Sequence, residues 1–241
     1  MSTERTANEL KHAQAVREMF AGIAGKYDFL NHFLSVNIDK RWRRLVREKL
    51  ETELSDKNAL ILDVACGTGD LSIELQQHGQ AQVIGTDFCR PMLAVADSKN
   101  TKNNLSIPYI EGDGMNLSFV DESFDAVTIA FGLRNFSNWL DGLKELRRVL
   151  KIGGKLVILE FSTPIIPGFK QFFNLYFTRI LPRIGGAVSG SRGAYEYLPD
   201  SVSRFPDQKN LAKMMCEVGF ENVDYKNLTG GITAIHIGTK E

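Results

Sequence analysis

From residue 60 onward the chain alternates short apolar runs with amphipathic segments, and few folds accept that order. "LILDVA" (60–65), "AQVIGTDF" (81–88), "IPYIEGD" (107–113), "SFDAVTIAFGL" (123–133) and "KLVILEF" (155–161) read as strands. Helical patterns lie between them: about 69–78, "PMLAVADSK" from Pro91, and "NWLDGLKELRRVL" (138–150). Pro91 suits a first helical turn, where its missing N–H has no intrahelical partner to lose. Gly153 and Gly154 are placed to stop the helix at 150. A helix over 206–218, a strand near 221–226 and a last strand, "ITAIHIGTK", complete the series. Strands alternating with helices predict an α/β fold with a doubly wound, mostly parallel sheet. "KLVILEF" is apolar enough to be buried on both faces.

Two further regions flank or interrupt this rhythm. Residues 9–24 and 38–54 read as helices, and the second brings Trp42, Leu45, Val46 and Leu50 close to one face. "KYDFLNHFLSVN" between them reads as aromatic and irregular. Residues 164–204 are rich in aromatics and in Arg and Lys, and regular structure resumes after them. A long insert between sheet elements is often a lid. The expected organisation is one domain over 1–241, with 1–55 as an N-terminal helical cap and 164–204 as an inserted lid.

Charge and cysteine usage narrow the partners. Lys+Arg and Asp+Glu are both 29, so the formal net charge is zero. Nucleic-acid binding draws on a basic excess, so no such partner is expected. Cys66, Cys89 and Cys216 are odd in number and far apart, which favours neither disulfides nor a metal site and fits a reducing cytosol. The polar N-terminus lacks a signal core, and no run of about 18 apolar residues occurs. A cytoplasmic location is expected.

Gly67 and Gly69 lie in "LDVACGTGDLSIEL", between a strand and a helix. In open α/β sheets ligands bind at the carboxyl ends of the strands, where such a turn offers free N–H groups. Asp87 ends the second strand, where an acid can bind both hydroxyls of a ribose. Three readings stand. The glycines can simply make a tight turn. A nicotinamide dinucleotide wants Gly-x-Gly-x-x-Gly, but Ser72 stands at the third glycine, and Asp63 and Asp70 flank a site meant for pyrophosphate. S-adenosylmethionine carries positive charge and no phosphate, so those acids favour it. "GDG" (112–114) adds an acid where an adenine amino group can be held.

The blocks "KYDFLNHFLSVNIDKRWRR", "LDVACGTGDL", "FDAVTIAFGLRNFSNW", "RVLKIGGKLVILEFSTP" and "YLPDSVSRFPDQKNLAKMMCEVGFENVDYKNLTGGITAIHIGTK" resemble the class I S-adenosylmethionine-dependent methyltransferases. More narrowly, they resemble the ubiquinone/menaquinone biosynthesis C-methyltransferases, from about residue 20 to the end. The resemblance implies a Rossmann-like seven-stranded sheet with an antiparallel last strand. It implies S-adenosyl-L-methionine as cofactor, held by Asp63, Gly67, Thr68, Gly69, Asp87, Asp113 and Gly114. Two departures stand out: Ala65 replaces the usual first glycine of the turn, and Ala130 stands where some relatives carry Ser.

The implied reaction is C-methylation of demethylmenaquinol, a polyprenyl naphthoquinol. The alternative substrate is the 2-polyprenyl-6-methoxy-1,4-benzoquinol precursor of ubiquinone. A quinol becomes nucleophilic at carbon when a ring hydroxyl loses its proton. Arg134, in the loop after the fourth strand, is expected beside the methyl group to stabilise the ring oxygen, the alternative being that it simply pairs with Asp63 or Glu160. Asn135 is expected to hydrogen-bond that oxygen. Tyr27 and Asp28 are expected to close over the site, with Asp28 or an ordered water as the base; the alternative for Tyr27 is packing within the lid. His236, Met214 and Met215 read as structural. "FKQFFNLYFTRILPRI" suits an interfacial helix, so a peripheral membrane contact is expected through 165–184, and the same face is a candidate for homodimer contact.

Overall fold

The computed structural model describes residues 6–35, 37–166 and 192–241. Among them seven strands form one sheet in the order β3-β2-β1-β4-β5-β7-β6. These are β1 Leu60–Val64, β2 Gln82–Asp87, β3 Tyr109–Glu111, β4 Phe124–Ala130, β5 Leu150–Phe161, β6 Phe220–Leu228 and β7 Thr233–Lys240. Strands β1 to β5 pair in parallel, and β7 runs antiparallel to both β5 and β6. The helices are α1 Ala7–Ile23, α2 Tyr27–Leu34, α3 Ile38–Glu48, α4 Glu51–Ser55, α5 Asp70–Gln77, α6 Arg90–Lys102, α7 Trp139–Val149, α8 Arg192–Arg204 and α9 Gln208–Glu217.

Alternation along the central strands sorts the core into two layers. Ile61, Val157 and Leu159 meet Trp42 and Val46 of α3 and Leu71 and Leu75 of α5. Leu62, Val64, Leu156 and Ile158 meet Leu143 and Leu146 of α7 and Leu211 and Met215 of α9. Successive side chains of a strand point to opposite faces, so continuous apolar runs serve both layers. Trp42 also donates from Nε1 to Thr229 Oγ1 at 3.0 Å, which ties α3 to the C-terminal strands. His236 and Met215 are buried, the histidine with Nε2 2.8 Å from the Gln208 carbonyl oxygen.

The structure departs from the sequence expectation in three places. The segment read as irregular is helical over Tyr27–Leu34, after a 3₁₀ turn at Ala24–Lys26; Phe20 meets Tyr27 edge-on at 5.9 Å. The helix read over 38–54 breaks at Leu50, whose side chain is fully buried and whose φ/ψ is −116°/20°. Helix α7 ends at Val149, ahead of the glycines. Leu150 already pairs with Phe124, while Lys155 pairs with Ala126, so residues 151–154 bulge out with Gly153 at φ +79°. Sheet pairing, not glycine, ends that helix.

Of the insert at 164–204, the ends are described: residues 164–166 and α8. Ile165 and Ile166 are exposed. The rest of the expected membrane segment lies outside the described residues. Among the described residues, no helix is long and apolar enough to cross a membrane.

Candidate active site

Strand β1 has β2 on one side and β4 on the other, so the chain leaves it in opposite directions and opens a crevice at the strands' carboxyl ends. The cleft there is open to solvent. It is lined from both directions: Asp63, Gly67, Thr68, Asp87, Asp113 and Gly114 on one side, Phe131, Asn135 and Phe136 on the other. Ala13, Phe20 and Tyr27 of the N-terminal helices also reach it.

The glycine turn is conformationally demanding. Ala65, Gly67 and Gly69 have φ of +51°, +56° and +79°. Ala65, which replaces a glycine, pays for this backbone with strain of about 1–2 kcal/mol. Its Cβ also leaves no room opposite: a Cβ on Gly132 would lie 2.5 Å from it. The two turn glycines are needed for different reasons. A Cβ on Gly69 would lie 2.9 Å from the Tyr109 ring and 3.1 Å from Ala96 Cβ. A Cβ on Gly67 would meet only Met92 Cε, at 3.6 Å, so its backbone is left approachable.

The carboxylates are placed by hydrogen bonds to that turn. Asp87 accepts from Gly67 N at 2.8 Å and from Cys89 N at 2.8 Å. Asp63 accepts from Ser72 Oγ at 2.6 Å and Thr128 Oγ1 at 2.9 Å. Burial pushes each up to about 6, against these hydrogen bonds. Asp113 accepts from Met115 N at 2.9 Å, and Gly114 packs under the Phe136 ring. Thr68 donates to Asp28, which also accepts from Lys99 Nζ at 2.9 Å. Lys99 bonds Asp70 as well, and Arg43 joins Asp70 at 3.2 Å and Asp39 at 2.6 Å. The α2–α3 segment is thereby pinned to the glycine turn.

Two of the expected catalytic residues are held by partners within the protein. Arg134 is held outside the cleft lining. Its Nη1 donates to Glu160 Oε1 at 3.0 Å and to the Phe131 carbonyl, and its guanidinium lies 5.3 Å from the Phe161 ring centroid. A buried guanidinium needs a buried carboxylate, and Glu160 at the end of β5 supplies it. Asp28 is bound to Thr68 and Lys99 and is likewise outside the cleft lining. Asn135 does line the cleft, with Nδ2 3.4 Å from the Phe131 carbonyl oxygen. Tyr27 lines it too; burial pushes its hydroxyl up, against the nearby Arg134 charge and a hydrogen bond from Asn31. Sequence reasoning missed Tyr197, whose hydroxyl reaches Asn135 Oδ1 at 3.0 Å. No spacing rule could link residues 62 apart.

The donor set suits a cationic ligand bearing a ribose. Among the described residues, four carboxylates line the cleft, and the one lining cation, Arg43, is held by Asp39 and Asp70. Strand order, turn and terminal carboxylate together define a class I methyltransferase of the S-adenosylmethionine-dependent type. A putative S-adenosyl-L-methionine-dependent methyltransferase from Methanococcus maripaludis matches with a TM-score of 0.59 at 17% identity, over 100% of this chain and 97% of that one. The [4+2]-cyclase SpnF matches at 0.62 and 18% identity, over 82% and 81%. At such identities the likeness is one of fold.

The model of the ubiE/COQ5 methyltransferase family matches residues 7–240, and the chain belongs to that family. A demethylmenaquinone methyltransferase of Deinococcus radiodurans is 48% identical, covering 94% of this chain and 93% of that protein. The Thermus thermophilus protein of the same name is 46% identical, over 92% and 100%. A ubiquinone/menaquinone biosynthesis C-methyltransferase UbiE of Geobacter sp. strain M21 is 43% identical, over 94% and 97%.

Proposed function

We propose that this methyltransferase C-methylates the quinol ring of demethylmenaquinol to give menaquinol, with S-adenosylmethionine as methyl donor. The observation that carries the reading is the junction of two unlike half-sites in one cleft. On one side, the Gly67 N–H and Asp87 carboxylate meet among further acids. On the other, an aromatic wall of Phe131 and Phe136 carries one neutral amide, Asn135. The names of the relatives in Deinococcus and Thermus agree with this substrate.

When bound, the cofactor supplies an electrophilic methyl group on a sulfonium. Asp87 accepts hydrogen bonds from ribose hydroxyls, for which its oxygens retain lone pairs beside the backbone N–H groups. Asp63 and Asp113 give the same end of the cleft a negative field. Asn135 binds a ring oxygen, and Tyr27 excludes water above it. Arg134 keeps the Phe131–Asn135 loop in place through Glu160 and the Phe131 carbonyl, and so acts on position. Holding reactants in register is worth about 7–11 kcal/mol in favourable cases. Asp28 acts on the glycine turn through Thr68.

The 165–184 stretch, with Phe, Tyr, Leu and Ile among Lys170, Arg179 and Arg183, suits contact with the membrane that holds a polyprenyl tail. Phe173→Asp should then slow turnover of a long-chain quinol more than that of a short-chain analogue. The central test is mass spectrometry after incubation with S-adenosylmethionine and two reduced substrates, demethylmenaquinol and the benzoquinol precursor of ubiquinone. Methylation of the naphthoquinol supports the proposal. Methylation of both extends it to a shared enzyme, the reading that the Geobacter relative's name favours. Methylation of the benzoquinol alone, or of neither, defeats it.

A further inference from the structure

Asn135 lines the cleft, but Tyr197 stands behind it. The tyrosine is absent from the cleft lining and belongs to α8, which packs against the 3₁₀ turn Leu133–Asn135 and against α1. The segment around it is firmly anchored. Leu198 and Val202 pack with Ile23 and Phe161, and Phe205 just beyond α8 meets Trp139 edge-on at 5.4 Å. The hydroxyl is therefore a fixed group delivered to a loop residue.

The direction of that contact follows from the neighbours. The Phe131 carbonyl can only accept, so the Asn135 nitrogen faces it, at 3.4 Å. The amide oxygen then faces Tyr197, whose hydroxyl donates to it at 3.0 Å. One amide N–H and the oxygen thus have protein partners, and the amide carries a second N–H that can serve a ligand in the cleft that Asn135 lines. We propose that Tyr197 is a positioning residue for methyl transfer. It fixes the Asn135 amide so that an N–H donor, not the carbonyl oxygen, meets the ring oxygen of the quinol. The inference rests on the proposed function. The ring oxygen gains negative charge as its proton leaves, so a donor strengthens there while a flipped amide would repel it.

The test compares wild type, Tyr197→Phe, Asn135→Ala and the double variant on reduced demethylmenaquinol. Tyr197→Phe keeps the ring and removes only the donor. Its kcat should fall about 10-fold, the scale of one hydrogen bond, with KM, cofactor Kd and melting temperature nearly unchanged. The acid limb of its kcat–pH profile should move to higher pH, because the bound quinol then ionises less readily. In the Asn135→Ala background the same change should cost nothing further. An unchanged kcat for Tyr197→Phe overturns the inference, as does an equal loss with and without Asn135. Cofactor affinity falling in step with kcat also overturns it. If Tyr197→Phe unfolds, Asn135→Asp replaces the donor without touching α8: a kcat loss exceeding 10-fold supports the donor assignment, and wild-type kcat refutes it. Absence of quinol methylation by wild type overturns the functional reading and this inference together, whereas an active wild type with an equally active Tyr197→Phe overturns this inference alone.

Discussion

At the β1–β2 side of the cleft, the working groups come from a short stretch of chain. Gly67 N–H reaches Asp87 twenty residues on, and Ser72 reaches back to Asp63 from nine residues away. Past β4 they come from everywhere: Arg134 finds Glu160, and Asn135 finds Tyr197 across the insert. The first side is built on the glycine turn and offers main-chain N–H groups, with Thr128 and Asp28 joining it from farther off. The second is held by side chains buried in one another. The far end is assembled by long-range contacts between side chains.

The largest expected effect lies on the long-range side. Arg134→Leu leaves Glu160 buried without its cation and should cost about 3–5 kcal/mol, read from urea unfolding. A second change, Glu160→Leu, should restore much of that stability while activity stays low, because the Phe131–Asn135 loop has lost its tie. Recovery of activity along with stability would show that the ion pair only fills the core.

On the local side, Asp87→Ala should weaken cofactor binding about 10- to 100-fold by calorimetry, the scale of a hydrogen bond to a charged group. Gly69→Ala should destabilise by about 2 kcal/mol, since both its φ and the Tyr109 ring oppose a side chain. Gly67→Ala should cost only about 1 kcal/mol, yet harm cofactor affinity more. The reverse order in the two variants would mean that the ligand does not approach the Gly67 backbone.

The smallest effect concerns protons. Burial raises Asp63 and Asp87 to about 6, above their unfolded value. Their contribution to stability is therefore full below about 3.9 and is lost as pH rises through about 6. Binding a cationic ligand favours the ionised forms, so at pH 6 it should release on the order of one proton, seen as a buffer-dependent enthalpy. Heat independent of buffer would separate these carboxylates from the ligand's charge.

Much of this molecule is legible as pattern. The strands at 60–65, 81–88 and 155–161 and the amphipathic 138–150 depend on periodicity and burial, which nearest neighbours in the chain encode. So does the glycine turn, because a positive φ selects its residue locally. Departures came where the decision was tertiary: α7 ends before Gly153 because Leu150 pairs with Phe124, and the segment at 27–34 is helical, with Tyr27 set edge-on to Phe20.

The site divides the same way. Sequence alone determined the parallel strands, the turn and the carboxylate at the end of β2, since the strands follow from apolar periodicity and the other two from residues within one βαβ unit. Only the tertiary structure decided that Arg134 belongs to Glu160, that Asp28 belongs to Thr68 and Lys99, and that Tyr197 stands behind Asn135. Arg, Asp and Tyr each have many possible partners. Which one they meet is settled by desolvation: a buried charge or hydroxyl must find its complement wherever the packed chain places it.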